Sequence, residues 1–381
     1  MPNHRQSRSF HRGNENHNTQ RLIRYLDKNT HLDKTVIFEF GTKAARVLVG
    51  PTKVSSSSWS RYHFFNDAVL THLGAELDFN KQLQKTSPGI ITLINFINHY
   101  RPLLLKSNIS PRNFHGVGTA VFRWLRNKSD ILLHILQQTG LKIKILSAEE
   151  EARLSLLGVA TTHNMRRSGK KLPDSKNHIL LLLDQGGGSM EVSYTSTNRS
   201  ESGVKNFDDL GTIALRDRFL TTSPTGNMID PQHNQNRISD QHKRILKYVE
   251  RRINEWQGYP ELEGKTIHAY ALGSAASTLL RGSNYDIHNR IISKQSMFEQ
   301  INKHNQMVQQ NNQQIASFYK QLQAQQNNNK KRQQEEQLLL LYGLPVYTRV
   351  LKKFAIEDMR MCGYGLRYGV FVAQNRFNAK I

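Results

Sequence analysis

The residues best equipped for chemistry lie in Ile179–Tyr194, ILLLLDQGGGSMEVSY. Five apolar residues run into Asp184; Gly186, Gly187, Gly188 and Ser189 follow, and Met190–Tyr194 alternates as a strand does. Without side chains at the three glycines, successive backbone N–H groups can converge on one anion. Asp184 at the mouth of the turn and Glu191 beyond it supply carboxylates able to hold a divalent cation against that anion. The unit suits phosphate plus metal.

A lone GGGS is more often an ordinary hairpin turn. Here the grammar recurs in Val36–Val49, VIFEFGTKAARVLV: an apolar strand, an acid (Glu39), one spacer, Gly41, a short turn with Thr42 and Lys43, and a second apolar strand. Two such hairpins far apart predict two related domains facing each other, each offering a phosphate loop to a cleft between them.

At 381 residues and 37% hydrophobic, the chain is long enough for two cores. A formal charge of +23 favours polyanionic partners without choosing among them. The one cysteine, Cys362, excludes internal disulfides and multi-cysteine zinc sites, and fits a reducing compartment. No apolar run is long enough to span a bilayer, so a soluble, cytoplasmic protein is expected.

The expected organisation is a disordered basic tail over 1–30, an N-terminal domain over 31–150 and a C-terminal domain over 151–381. The last includes a Gln/Asn-rich insert at 302–337, and its final helix is free to pack on the N-terminal domain. Ser55–Ser58 reads as a loop, and Phe65–Leu77 and Ile90–Leu105 carry apolar residues at helical spacing. Phe114–Val121 leads into a helix ending at Gly140, and Leu141–Leu146 reads as a strand, giving the alternation of an α/β architecture. Ser147–Glu150 matches a capping box, which gives Glu150 a structural duty and leaves Glu151 without one. Thr161–His178 reads as a basic loop and Thr221–His233 as a polar one. A helix is expected over Gln241–Trp256, then a strand over Thr266–Leu272 closed by Gly273 and Ser274, where small residues permit close backbone approach to phosphate. Leu338–Phe354 reads as an amphipathic helix, and Cys362–Gly369 as a glycine-rich turn into a last helix carrying Arg367.

Taken in order, Glu39-Phe-Gly41, Gly118-Thr119 with Arg123, Ser147-Ala-Glu-Glu-Glu151-Ala152, Asp184-Gln-Gly-Gly-Gly-Ser189-Met-Glu191, Leu210-Gly211, Gly273-Ser274 and Gly365-Leu-Arg-Tyr-Gly369 resemble the exopolyphosphatase / guanosine pentaphosphate phosphohydrolase family, from about Thr35 to Val372. The resemblance implies two actin-like, sugar-kinase or Hsp70 ATPase type (ribonuclease H-like) α/β domains around a central cleft. It implies that Glu151 activates the attacking water, with Glu150 as second candidate. Asp184, Glu191 and Glu39 would hold Mg²⁺ (or Mn²⁺), and Gly41, Thr42, Lys43, Arg123, Gly186–Ser189, Gly273 and Ser274 would bind phosphate. The implied substrates are inorganic polyphosphate and guanosine pentaphosphate, the implied reaction is release of orthophosphate by water attack, and a homodimer is an assembly the fold often adopts.

Departures from the family pattern are Glu39, Thr42, Lys43 and Ala44 where an aspartate and two serines are usual, Ala148 for glycine, and Ser274-Ala275 for glycine-threonine. They keep open a catalytically degenerate sensor of polyphosphate or guanosine phosphates. An ATP-dependent kinase of the same fold is disfavoured by the glutamate motif. A nucleic-acid binder lacks any groove-reading motif. The chain ends soon after Gly369, as in short two-domain members.

Overall fold

The computed structural model describes residues 5–52, 63–165, 174–220, 235–279, 291–310 and 328–375. The chain forms two compact units, one from residues 1–147, 161–169 and 366–381, the other from 148–160 and 170–365. The division thus falls at Ser147, and the C-terminal segment belongs to the first unit.

In the first unit, β1 (Lys34–Phe40) and β2 (Ala44–Pro51) form an antiparallel hairpin, and β3 (Phe65–Leu70) extends it beyond β2. On the other side β1 pairs in parallel with β4 (Phe114–Gly118), and β4 with β5 (Ile143–Ile145), giving the order β3-β2-β1-β4-β5. Every residue of β1 is buried, which is why Val36–Phe40 is apolar on successive positions except Glu39: both faces of the central strand are covered. The helices are α1 (Arg5–Lys28), α2 (Pro88–Lys106), α3 (Ala120–Trp124) and α4 (Lys128–Thr139). Gly140 ends α4 at φ 66°, as a C-cap glycine should.

Two expectations fail in this unit. The segment read as a disordered tail contains α1, whose Leu22 is fully buried and whose Leu26 is 7% exposed in the core. Asn18 also donates to Asp67 (3.1 Å), and the Arg21 guanidinium lies over the Phe65 ring. Among the described side chains, the apolar anchors occupy the last turns of a polar helix, so composition hid them. The helix expected over Phe65–Leu77 is β3 followed by a short 3₁₀ turn, Leu73–Ala75. Asp67 points inward, where it accepts from Tyr100, and a polar residue on the buried face erased the alternation that marks a strand.

The second unit begins with α5 (Ala148–Met165), whose final residues, from Thr161, fall in the first unit's range. The helix occupies the start of the expected Thr161–His178 loop. Strands β6 (His178–Gln185), β7 (Met190–Ser196) and β8 (Ser202–Phe207) form a meander. Strand β9 (Thr266–Gly273) pairs in parallel with β6, followed in the sheet by β11 (Asp358–Met361) and β10 (Ile291–Ser293), giving β10-β11-β9-β6-β7-β8. Both sheets are therefore a three-stranded meander whose first strand receives two further parallel strands. The repeat seen in the acid-x-Gly hairpins is a repeat of topology.

Helices α6 (Thr212–Leu220), α7 (Gln235–Asn254), α8 (Ser274–Leu279), α9 (Lys294–Gln310) and α10 (Asn328–Lys353) complete the second unit. Both ends of the Gln/Asn-rich stretch are thus helical. The last helix, α11 (Leu366–Gln374), packs on β1 and β2 of the first unit. The expected loops Ser55–Ser58 and Thr221–His233 lie outside the described residues. Among the described residues, no helix is long and apolar enough to cross a membrane.

Candidate functional site

In the second unit, register sets the chemistry. Asp184 on β6 stands opposite Glu191 on β7, and Glu191 opposite Asn206 on β8. Leu181, Leu183, Met190 and Val192 fill the hydrophobic core, so strand alternation sends Asp184, Glu191 and Asn206 to the other face as one polar row. Glu191 is 3% exposed. The Asn206 amide donates to Asp208 (2.6 Å), while its Oδ1 is buried without a partner among the described residues.

The glycine turn joining β6 to β7 is held from several sides. The Gly186 amide donates to the Ser189 carbonyl (3.0 Å). The carbonyl of Gly186 accepts from Thr212 N (3.0 Å), and that of Gly187 from Ile213 N (2.7 Å) and Ala214 N (3.1 Å), so the first amides of α6 are committed to the turn. The amides of Gly187 and Gly188, by contrast, donate to no protein acceptor among the described residues. Successive unsatisfied N–H groups in a turn form an anion seat.

Only glycine fits at two of the surrounding positions. A Cβ on Gly211 would lie 2.2 Å from Gly188 C and 2.4 Å from Ser189 N. Gly273, paired with Gln185 across β9 and β6, has φ +106°, and its Cβ would meet the Gln185 carbonyl at 2.2 Å. Gln185 itself donates from Nε2 to Leu210 O (2.9 Å), and its Oε1 is buried with no partner among the described residues. From α10, Gly343 approaches Gln185 Oε1, and the buried Tyr347 donates its hydroxyl to Leu272 O. Burial, and then the charge of Asp184, push the Tyr347 phenol well above its usual pKa, so it stays a neutral donor.

Sequence reasoning missed Gln185, Asn206, Gly343 and Tyr347. Gly343, two residues before Pro345 in the apolar second half of a long helix, was a visible anomaly. Asn206 carried no signal, because only the strand register places it.

The first turn of α5 carries Glu149, Glu150 and Glu151, favourably placed at the positive end of the helix dipole. Glu149 pairs with Arg153 (2.7 Å) in water, whereas Glu150 and Glu151 are half-buried. Ser274 opens α8 directly after Gly273.

In the first unit, Gly41, Thr42 and Lys43 form the β1–β2 turn. Gly41 N donates to Ala44 O (2.9 Å), Gly74 N to Thr42 O (2.9 Å), and Thr71 N to Lys43 O (2.9 Å). Arg123 at the end of α3 donates from Nη1 to Leu146 O (3.2 Å). Glu39 is engaged differently from the expected metal ligand: its carboxylate takes Arg46 at 2.7 Å and Arg367 at 3.4 Å. With its oxygens facing two guanidinium groups, it is a poor place for a cation. Burial pulls the Arg367 guanidinium below its usual pKa, and Glu39 opposes that shift.

The structure thus gathers Asp184, Glu191, Gly186–Ser189 and Gly273 at one end of the second sheet, and Glu39, Gly41, Thr42 and Lys43 on one turn of the first. Among the described residues, no group of three or more His, Cys, Asp and Glu side chains is arranged as a metal cage. The donor set near the glycine turn is all oxygen, two carboxylates and nearby amide oxygens, the type that hard divalent cations take.

Two five-strand cores of the same topology, one carrying paired acids beside an anion-seating turn, define an actin-like α/β protein. The family model of the Ppx/GppA phosphatases matches residues 57–376, and the chain belongs to that family. It is similar to a solved family member from Aquifex aeolicus, with 17% identity, a TM-score of 0.62 and coverage of 90% of this chain and 97% of that one. An exopolyphosphatase structure from Cytophaga hutchinsonii aligns at 16% identity over 90% of this chain and 98% of that one, with a TM-score of 0.61. These likenesses establish the fold. Among curated relatives, the exopolyphosphatase 1 of Mycobacterium bovis is 27% identical over 141 residues, 37% of each chain. A bifunctional 3-dehydroquinate synthase/phosphatase of Fusobacterium nucleatum is 22% identical over 230 residues, 60% of this chain and 32% of that protein. The chain spans about a third of the length of these curated relatives.

Proposed function

We propose that this chain hydrolyses terminal phosphoanhydride bonds of inorganic polyphosphate or guanosine pentaphosphate, releasing orthophosphate. Family membership supports the reaction class. The observation that carries the reading is the pairing of Asp184 with Glu191 beside two glycine amides that have no protein acceptor among the described residues.

In this reading the amides of Gly187 and Gly188 take oxygens of the terminal phosphate and orient it for in-line attack. Asp184 and Glu191 would hold Mg²⁺ (or Mn²⁺), which when bound offsets negative charge on the phosphoryl oxygens. Glu151 accepts a proton as water adds to phosphorus and the bridging P–O bond breaks, with Glu150 as the second candidate base. Ser189, Gly273 and Ser274 are the further phosphate-binding candidates of the second unit, and Gly41, Thr42, Lys43 and Arg123 are those of the first.

The guanidinium-held Glu39 favours a second reading, a sensor that binds the same polyanions without turnover. Phosphate release from polyphosphate and from guanosine pentaphosphate, with and without Mg²⁺, separates the two. The hydrolase reading expects metal-dependent release that falls about 10²- to 10⁴-fold in Glu151→Gln and is lost in Asp184→Ala. Binding without release in the parent chain would make it a sensor.

A further inference from the structure

The polar row on the second sheet contains an oxygen that its neighbours leave unused. Asn206 stands on β8 directly opposite Glu191, and Glu191 opposite Asp184, so the three side chains lie side by side across three strands. Phe207, the next residue, is buried in the hydrophobic core, which places Asn206 on the opposite face of the sheet. Lys205 also turns away from the row, with its ammonium 5.3 Å from the centre of the Phe207 ring.

One contact sets the orientation of the Asn206 amide. Its Nδ2 donates to Asp208 Oδ1 at 2.6 Å. A carboxylate only accepts, so the nitrogen end must face Asp208 and the oxygen end must face elsewhere. That oxygen, Oδ1, is closed off from solvent and accepts no hydrogen bond among the described residues. Strand β8 ends the six-stranded sheet, so an oxygen shielded from water there faces inward, on the side where Glu191 stands.

A buried carbonyl oxygen without a donor is unfavourable unless something electropositive meets it. Asp184 and Glu191 are themselves acceptors when ionised, so the row supplies no donor of its own. Two carboxylates and one amide oxygen on a single face are the kind of set that a hard divalent cation takes.

We infer that Asn206 Oδ1 is a third protein oxygen for the divalent cation, beside Asp184 and Glu191, and that Asp208 is the positioning residue that keeps this oxygen turned inward. The inference rests on the proposed reading in which those two acids hold Mg²⁺ (or Mn²⁺), and it deepens that reading by naming a further ligand. An amide supplies the oxygen without placing a third negative charge next to an incoming phosphate.

The test measures Mn²⁺ binding to the full chain by titration calorimetry with no phosphate compound present, and thermal unfolding with and without Mn²⁺. Asn206→Leu removes the oxygen, Asn206→Asp keeps one, Asp208→Asn removes the fixed acceptor, and Asp184→Ala locates the site. For Asn206→Leu the Mn²⁺ Kd should rise about tenfold or more. Its metal-free form should unfold at the parent temperature or above, because an apolar group replaces an unsatisfied acceptor. Asn206→Asp should bind Mn²⁺ at least as tightly as the parent. Asp208→Asn lets the amide turn either way, so its Kd should rise in the same direction as that of Asn206→Leu, and it carries the test if Asn206→Leu does not fold. An unchanged Kd in Asn206→Leu, or an equal loss in Asn206→Asp, overturns the inference. So does Mn²⁺ binding that survives Asp184→Ala, because the cation then sits elsewhere. A parent that binds no Mn²⁺ overturns it whether or not phosphate is released. If Mn²⁺ binds through Asp184 and Asn206 and the parent releases no phosphate, the hydrolase reading fails and the ligand set stands.

Discussion

Replacing Gly211 with alanine tests how the glycine turn is held. The new methyl group would arrive 2.2 Å from Gly188 C, 2.4 Å from Ser189 N and 2.5 Å from Gly187 O. All three are backbone atoms of a turn already fixed between two strands, so α6 must withdraw. Withdrawal breaks the bonds from Thr212, Ile213 and Ala214 to the Gly186 and Gly187 carbonyls. At about 1 kcal/mol each, the loss is about 3 kcal/mol. With a urea m-value of about 3 kcal/mol/M, the midpoint for the second unit should fall by about 1 M. Gly186→Ala is the control: its Cβ meets only Ser189 O, at 3.7 Å, and stability should stay within about 0.5 kcal/mol of the parent. Displaced Gly187 and Gly188 amides should also lower phosphate release by Gly211→Ala. A Gly211→Ala midpoint equal to the parent's, or an equal drop in Gly186→Ala, would refute the clamp.

Further outcomes follow from named contacts. Burial acts to raise the Asp209 pKa, but hydrogen bonds from Arg252 and Tyr248 outweigh it and hold the carboxyl below its usual value. The stability this contributes is present above the unfolded pKa of about 3.9 and lost as pH falls through the folded value. Asp209→Asn should therefore lower stability at neutral pH by about 1–2 kcal/mol and flatten its decline below about pH 4, read from urea midpoints across pH. Glu39→Gln leaves Arg46 and Arg367 facing each other without their acid and should cost about 3 kcal/mol. If Mg²⁺ raises the Tm of the parent through Glu39, so that the variant loses that increment, the ion-pair account fails. Leu22→Ala should cost about 3 kcal/mol through the first unit's core, and an unchanged Tm would return α1 to the status of a tail.

Local signals carried much of this protein. An apolar run, an acid, a spacer and a glycine are enough to specify a strand entering a tight turn, and both hairpins stand where that grammar put them. Gly140 likewise ends its helix, because a left-handed C-cap needs only the one residue. The sequence failed where an inward polar group had a distant partner. Asp67 faces the core to meet Asn18 and Tyr100, so β3 lost its alternation and looked helical.

The sequence by itself determined the fold class and the repeat and singled out candidate residues for chemistry, since these depend on neighbours along the chain. Tertiary structure decided what those residues meet. Glu39 reads as a metal ligand by position, yet Arg367, more than 300 residues away, and Arg46 on the partner strand hold its carboxylate. Asn206 joins the Asp184–Glu191 row only through strand register, and Gly343 and Tyr347 reach the turn from a helix far along the chain. A carboxylate's role is set by the charges within a few ångströms of it, and those are chosen by folding.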